Sequence, residues 1–338
     1  MRVGMDISQI AHPGGVATYT INLVDELSKI SDLEMIYFYS SLRRSIKGNL
    51  KNVKKYRLPP ILFEMLFNRW RNVPIERFIG PIDIFHSSDW TQPPSHAKKV
   101  TTYHDVVPLK YPQWSHPKIV AVHQRRLQIV EEEIDMVIVV SESTKKDLLE
   151  VSKIPEEKIT VIYEAAAADF KPQSQDKIAA FKKKYNLPDQ FVLAIGGVGE
   201  RRNLKRIRQA GVDYHLVISG QTIPWLDIDE LELLYSAATV LLYCSLYEGF
   251  GIPVLDAMSC GLPVITSNVS SMPEVGGEAA FYVDPLNTED IKKKLNLVME
   301  NENLRKDMIE KGFQQLKKFS WEKSAKETAE VYKKLVKI

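Results

Sequence analysis

Short runs rich in valine and isoleucine alternate with longer amphipathic segments along nearly the whole chain, and this alternation constrains the fold more than any other feature. Strands buried on both faces read as unbroken apolar runs, and amphipathic segments of this length can cross back over a sheet. The class expected is α/β with parallel sheets. In the first half, strands are predicted at residues 2–7, 34–39, 82–86, 99–103, 136–140 and 159–163, with helices at 15–30, 117–134 and 142–151. From Glu164 to Pro172 and through the polar Gln/Ser/Asp stretch that follows, periodicity lapses; it resumes at Phe191, so the lapse is read as a linker. Beyond it come strands at 191–195, 214–218, 239–243, 263–266 and 280–283, and helices at 203–210, 229–237, 252–260 and 288–299. The tail from Trp321 to Lys337 reads as a further helix, with Ala325, Ala329, Val331 and Leu335 along one face.

A chain of 338 residues exceeds one compact core. The domains expected are 1–168 and 169–320, both Rossmann-like, with a helix at 321–338 packing back towards the first. Two such domains facing each other would set the carboxyl ends of both sheets, where open α/β sheets bind ligands, across one cleft.

Net charge is only +2, which argues against a general polyanion binder, but the charge is segregated. Between Arg43 and Arg77 ten basic residues stand against Glu64 and Glu76, leaving +8 there and −6 elsewhere. The run Ile61 to Arg71 combines large apolar side chains with arginine and Trp70. Two readings stand level: a surface-bound helix facing anionic lipid, or a core-packed helix beside a solvated basic loop. Nucleic acid is not an expected partner, since no nucleic-acid-binding motif accompanies the patch. Only Cys244 and Cys260 occur, without metal or redox spacing, which fits a reducing cytoplasm. No stretch approaches the roughly 20 apolar residues of a membrane span. A cytoplasmic location is expected, on the inner face of the membrane if the basic segment meets lipid.

Three motifs carry chemistry. His12-Pro13-Gly14-Gly15-Val16 joins the first strand to a helix; its glycines fit either a tight turn without a ligand or a phosphate site at the helix N-terminus. Gly196-Gly197-Val198-Gly199-Glu200-Arg201-Arg202-Asn203 follows a strand, and glycines beside paired guanidinium groups suit a diphosphate. Positive charge in a first helical turn opposes the helix dipole, which favours an anionic partner over a merely solvated helix start. The third and densest motif runs from Tyr247 through Glu248-Gly249-Phe250-Gly251-Ile252-Pro253 to Asp256 and on to Ile265. Proline at the start of a helix behind a Gly-Phe-Gly loop marks an anion-ready N-terminus, flanked by carboxylates that can accept hydrogen bonds from sugar hydroxyls.

The run Glu248 to Ile265, with Ser267 to Val275 after it, resembles the retaining GT-B glycosyltransferases of family 4, the glycosyl transferases group 1 set. The likeness extends to the Gly14-Gly15 turn, His104-Asp105, Val139-Val140-Ser141, Arg201-Arg202-Asn203 and Trp321. It implies transfer of a hexose from a GDP- or UDP-sugar to a glycan or lipid-linked acceptor, with anomeric configuration kept and no metal or cofactor. By position, Glu248 would meet sugar hydroxyls and Asp256 the ribose. The amides around Phe250, Gly251 and Ile252 would meet sugar and phosphate, and Arg201 and Arg202 the diphosphate. His104 would touch the donor sugar as a catalytic-site residue, with Gly14, Gly15 and Gly197 on the phosphate side.

The sequence also departs from that family. Asp256 stands where the family has Glu, Arg202 replaces the usual Lys, and Ser219 to Leu231 joins a strand directly to the next helix, so a shortened C-terminal domain is expected. Trp225 in that join is expected to plug the smaller core rather than stack a base. Two alternatives remain beside the transferase: a non-catalytic nucleotide-sugar-binding partner of another transferase, and a nucleotide-sugar epimerase.

Overall fold

In the computed structural model, all residues are described except Pro13, Lys47 to Asn49, Ala168, Asp169, Val198, Lys337 and Ile338. The chain divides into two compact units, one of residues 1–164 with 321–338, the other of residues 165–320. The domain boundary expected between 168 and 169 falls outside the described residues.

The first unit is built on seven strands: β1 Arg2–Asp6, β2 Glu34–Ser40, β3 Val53–Tyr56, β4 Ile84–Ser87, β5 Lys98–Tyr103, β6 Met136–Val139 and β7 Ile159–Val161. Their order is β3-β2-β1-β4-β5-β6-β7, and every pairing is parallel. The order reverses between β1 and β4, which places the ligand-binding switch point at the loops that follow those strands. β3 escapes the sequence reading because it is an edge strand whose Lys54 and Lys55 are exposed; edge lysines blunt pairing with other chains and erase the apolar signature.

The basic segment proves to be both things its sequence allowed. Residues Pro60–Phe63 form a helical turn that continues as a π-helix over Glu64–Trp70. Phe63 and Phe67 are buried against Phe38, Phe78 and Tyr56 in an aromatic cluster, while Ile61 and Trp70 remain exposed.

The helix Trp321–Val336 belongs to the first unit, where Ser324 Oγ donates to Tyr163 O at 2.5 Å. Buried Tyr332 on this helix places its hydroxyl 2.6 Å from His86 Nδ1, and Thr102 Oγ1 holds His86 Nε2 at 2.8 Å. Burial drives the His86 pKa down to about 3, so the imidazole is neutral in the fold.

The second unit carries β8 Val192–Ile195, β9 Leu216–Ser219, β10 Val240–Tyr243, β11 Val264–Ser267 and β12 Ala280–Val283, in the order β12-β11-β10-β8-β9, again all parallel. The switch point lies between β8 and β10. The five strands agree with the trimmed sheet expected, since β9 leads straight to the helix Ile228–Ala237. Trp225 is not the plug: it is 65% exposed and lies against Gly220. Closing a short join over a sheet edge leaves no interior for an indole. The polar stretch after Pro172 is also more ordered than its composition suggests. It forms the helix Gln175–Tyr185, which needs only Ile178 and Phe181 as buried anchors and so shows little periodicity. No helix among the described residues is long and apolar enough to cross a membrane.

Tyr332→Phe leaves the buried imidazole of His86 without one of its two partners and is expected to destabilise the protein by roughly 1–3 kcal/mol. Denaturant unfolding checks this; a loss below a few tenths of a kcal/mol would contradict it.

Candidate active site

Glu248 gathers the second unit's chemistry. β8 ends at Ile195, and Gly196 follows so close to the neighbouring strand that an added Cβ would sit 2.1 Å from Ser219 O. Arg202 lays its aliphatic stem against Gly197. Arg201 and Arg202 ride on a short 3-10 turn, Glu200–Arg202, ahead of the helix Leu204–Ala210 rather than in its first turn as the sequence suggested. Asn203 ends that turn at φ +55°, and its Nδ2 donates to Cys244 O at 2.9 Å and Pro285 O at 2.7 Å, sewing the loop to the ends of β10 and β12.

From the other side of the switch point, the loop after β10 supplies Glu248. Its Oε2 accepts from Arg201 Nη1 at 2.8 Å and its Oε1 from Arg202 Nη1 at 2.6 Å. Tyr243, the last residue of β10, donates its hydroxyl to Oε1 at 2.8 Å. Burial pushes the Tyr243 phenol up, so it keeps the proton it donates. The anionic partner that the paired arginines called for is therefore already present within the chain. The carboxylate is 6% exposed, whereas the arginine side chains are 26% and 20% exposed. Tyr243 escaped the sequence analysis because it closes an apolar run that looks like pure core.

The loop turns into the helix Ile252–Ser259 at Gly251, whose φ of +117° and whose contact with Met272, where a Cβ would come within 2.4 Å of Cε, both require glycine. The Ser271 hydroxyl stands 3.0 Å from Glu248 O and 2.6 Å from Phe250 O and fixes the turn. The Phe250 and Ile252 side chains are themselves buried, Phe250 edge-on to Phe319, so only their main chain can face a ligand. Asp256 lies one turn further in. Burial raises its pKa to about 7, opposed by the Ala167 amide that donates to Oδ1 at 2.9 Å. The structure thus joins Glu248 to Arg201 and Arg202, and ties Asp256 to the segment that opens this unit.

In the first unit, Gly14 caps the helix Gly15–Leu27, and both glycines are exposed. Beside them Asp6, at the end of β1, is buried with its pKa raised by desolvation, and accepts from Ser8 N at 2.9 Å and Thr91 Oγ1 at 3.2 Å. His104 follows β5. Its Nδ1 lies 3.0 Å from buried Glu164 Oε1, and its ring meets that of Tyr19 edge-on at 4.5 Å. Glu164 was read only as the start of a linker; nothing in the local sequence points across 60 positions to His104. An ionised Glu164 requires hydrogen on Nδ1 and so leaves Nε2 to face substrate. Among the described residues, no group of three or more His, Cys, Asp or Glu could hold a metal ion.

Residues 144–315 match the family described as glycosyl transferases group 1, and residues 13–169 match glycosyltransferase family 4. The chain is 29% identical over 284 residues to O-antigen chain mannosyltransferase B of Escherichia coli, covering 75% of this chain and 74% of that protein. It is 25% identical over 309 residues to O-antigen chain mannosyltransferase RfbU of Salmonella typhimurium, covering 83% and 86%. Among solved structures, sucrose-phosphate synthase from Thermosynechococcus elongatus superposes with a TM-score of 0.79 at 17% identity over 99% of both chains. Anabaena HepE in complex with UDP-glucose gives 0.70 at 13% identity over 99% of this chain and 100% of that one. The fold is accordingly the GT-B α/β fold.

Two outcomes follow from these geometries. The unfolded chain releases the Asp256 proton in the ordinary carboxylate range, while the folded chain holds it to about pH 7, so stability falls as pH rises through that window and then levels. Asp256→Asn should remove this slope, its Tm gaining on the wild type between pH 5 and pH 8 by a few degrees; a difference constant with pH would exclude the assignment. Glu164→Gln should lower the pKa of His104, seen by NMR titration of the imidazole, because the negative charge at Nδ1 is gone. An unmoved titration would contradict the pairing.

Proposed function

The chain belongs to the glycosyl transferases group 1 family, and from that membership we propose that this glycosyltransferase moves a hexose, mannose in particular, from a GDP- or UDP-sugar to a growing glycan, with retention and without a metal. Mannose rests on the curated relatives, two of which are O-antigen chain mannosyltransferases; a nucleoside-diphosphate donor is supported by HepE, solved with UDP-glucose. The acceptor is a glycan or lipid-linked glycan, reached from the cytoplasm at the inner face of the membrane.

The observation that carries this reading is the convergence of Arg201, Arg202 and Glu248 where the second sheet changes direction. Cleaving the bond from anomeric carbon to phosphate moves negative charge onto the diphosphate and positive charge onto the ring. Fixed guanidinium groups on the leaving side lower that barrier, and because they are fixed before the reaction they need no reorganisation. Glu248 orients both and keeps spare acceptor capacity for sugar hydroxyls. In this reading the main chain from Phe250 to Ile252 and Gly197 receives phosphate and sugar, and Asp256 lies towards the ribose. Gly14 and Gly15 act on the phosphate side, and His104, oriented by Glu164, touches the donor sugar.

Incubation with a panel of GDP- and UDP-sugars and glycan acceptors, followed by nucleotide release, tests the proposal. Turnover is expected with the wild type, and Arg201→Ala or Arg202→Ala should each lose about 10²-fold or more in kcat. Glu248→Ala should lose at least as much, since it also strands two partly buried cations. Absence of any release would favour the non-catalytic binding partner, and release unaffected by all three changes would remove the site.

A further inference from the structure

We propose that the outer face of residues 42–77 is a docking surface for an anionic lipid bilayer, with Ile61 and Trp70 entering the headgroup region and the surrounding cations meeting lipid phosphates. The proposal rests on the reading of the acceptor as lipid-linked and adds the surface that would bring the enzyme to it.

Large apolar side chains stand exposed where a soluble face would be polar. Leu42, Ile61 and Trp70 are 54%, 68% and 57% exposed, and all three belong to this one segment. They are not a collapsed core waiting for its partner, because the same helical run already sends Phe63 and Phe67 into the aromatic cluster. Ile61, Met65 and Arg69 follow at spacings of four, a stripe opposite that buried pair. Trp70 cannot fold inward. Arg71 beside it is fixed at φ +50°, with Nη1 donating to Phe67 O and Gln92 O at 2.7 Å and Nη2 to Glu133 at 2.5 Å.

The cations of the segment are exposed and unspent. Arg43, Lys51, Lys54, Lys55, Arg57 and Arg77 are exposed, and none has an anionic partner among the described residues. The segment's acids are consumed internally: Glu64 by Arg125 at 2.6 Å and Arg69 at 3.3 Å, Glu76 by Ser95 Oγ and the amides of His96 and Ala97. What remains is a positive field around an indole and two aliphatic side chains. A nucleic acid would use the field but not the exposed isoleucine and leucine; an anionic bilayer uses both.

Sedimentation with phosphatidylcholine vesicles, with and without phosphatidylglycerol, tests this. The full chain should pellet with the anionic vesicles, weaken as salt rises, and ignore the neutral ones. Changing Arg43, Lys54, Lys55 and Arg57 to Gln should lower the partition coefficient about fivefold for each cation removed. Ile61→Ser with Trp70→Ser should lower it too, while nucleotide release with a water-soluble acceptor stays at the wild-type rate. Equal binding to neutral vesicles, no binding at all, or binding untouched by the Ile61 and Trp70 changes overturns the proposal, as does a preference for duplex DNA that those two changes leave intact. Vesicle binding needs no turnover, so its failure and the failure of the transferase reading are separately visible.

Discussion

One carboxylate holds two guanidinium groups and a phenol in the second unit: Glu248 binds Arg201, Arg202 and Tyr243, drawn from the loop after β8, the loop after β10 and β10 itself. Such a cluster is costly to desolvate and is stable only when each member is satisfied. Here Asn203, Leu246 N on Arg201 O at 2.8 Å, and Ser271 supply the remaining bonds. The arrangement leaves one uncompensated positive charge, a standing attraction for a diphosphate that does not depend on any rearrangement of the loops.

The first unit solves a different problem, which is to hold a neutral polar surface rigid. Tyr19 packs edge-on to both His104 and Trp321, and its hydroxyl lies 3.1 Å from Thr102 Oγ1, which in turn meets His86 and through it Tyr332. A single run of contacts thus joins the helix that Gly14 caps, two central strands and the closing helix to the imidazole of His104. Buried networks of this kind rigidify when every member has a partner.

Much of this was legible before any coordinates. The parallel class, the shortened second sheet and the density of function between Glu248 and Asp256 all follow from features that act locally: unbroken apolar runs, a missing segment, and glycine and proline at a helix start. What was not legible depends on distance. Edge strand β3 hides behind Lys54 and Lys55, and the helix Gln175–Tyr185 shows only two anchors. The partnership of Glu164 with His104 crosses most of a sheet. The burial of Asp256 and the exposure of Trp225 depend on what packs above them, which no local pattern encodes. Conversely, the paired arginines were legible as charges seeking an anion, but the sequence gave no hint that Glu248 already provides one.

The closing helix has a consequence for the order of assembly. Residues 165–320 can complete their own sheet while the chain is still being synthesised, since every strand of that unit is contiguous in sequence. The first unit, although translated earlier, must wait with Tyr19, Thr102 and His86 uncovered until Trp321 and Tyr332 emerge from the ribosome. Loss of the last few dozen codons would therefore injure the beginning of the protein more than its middle.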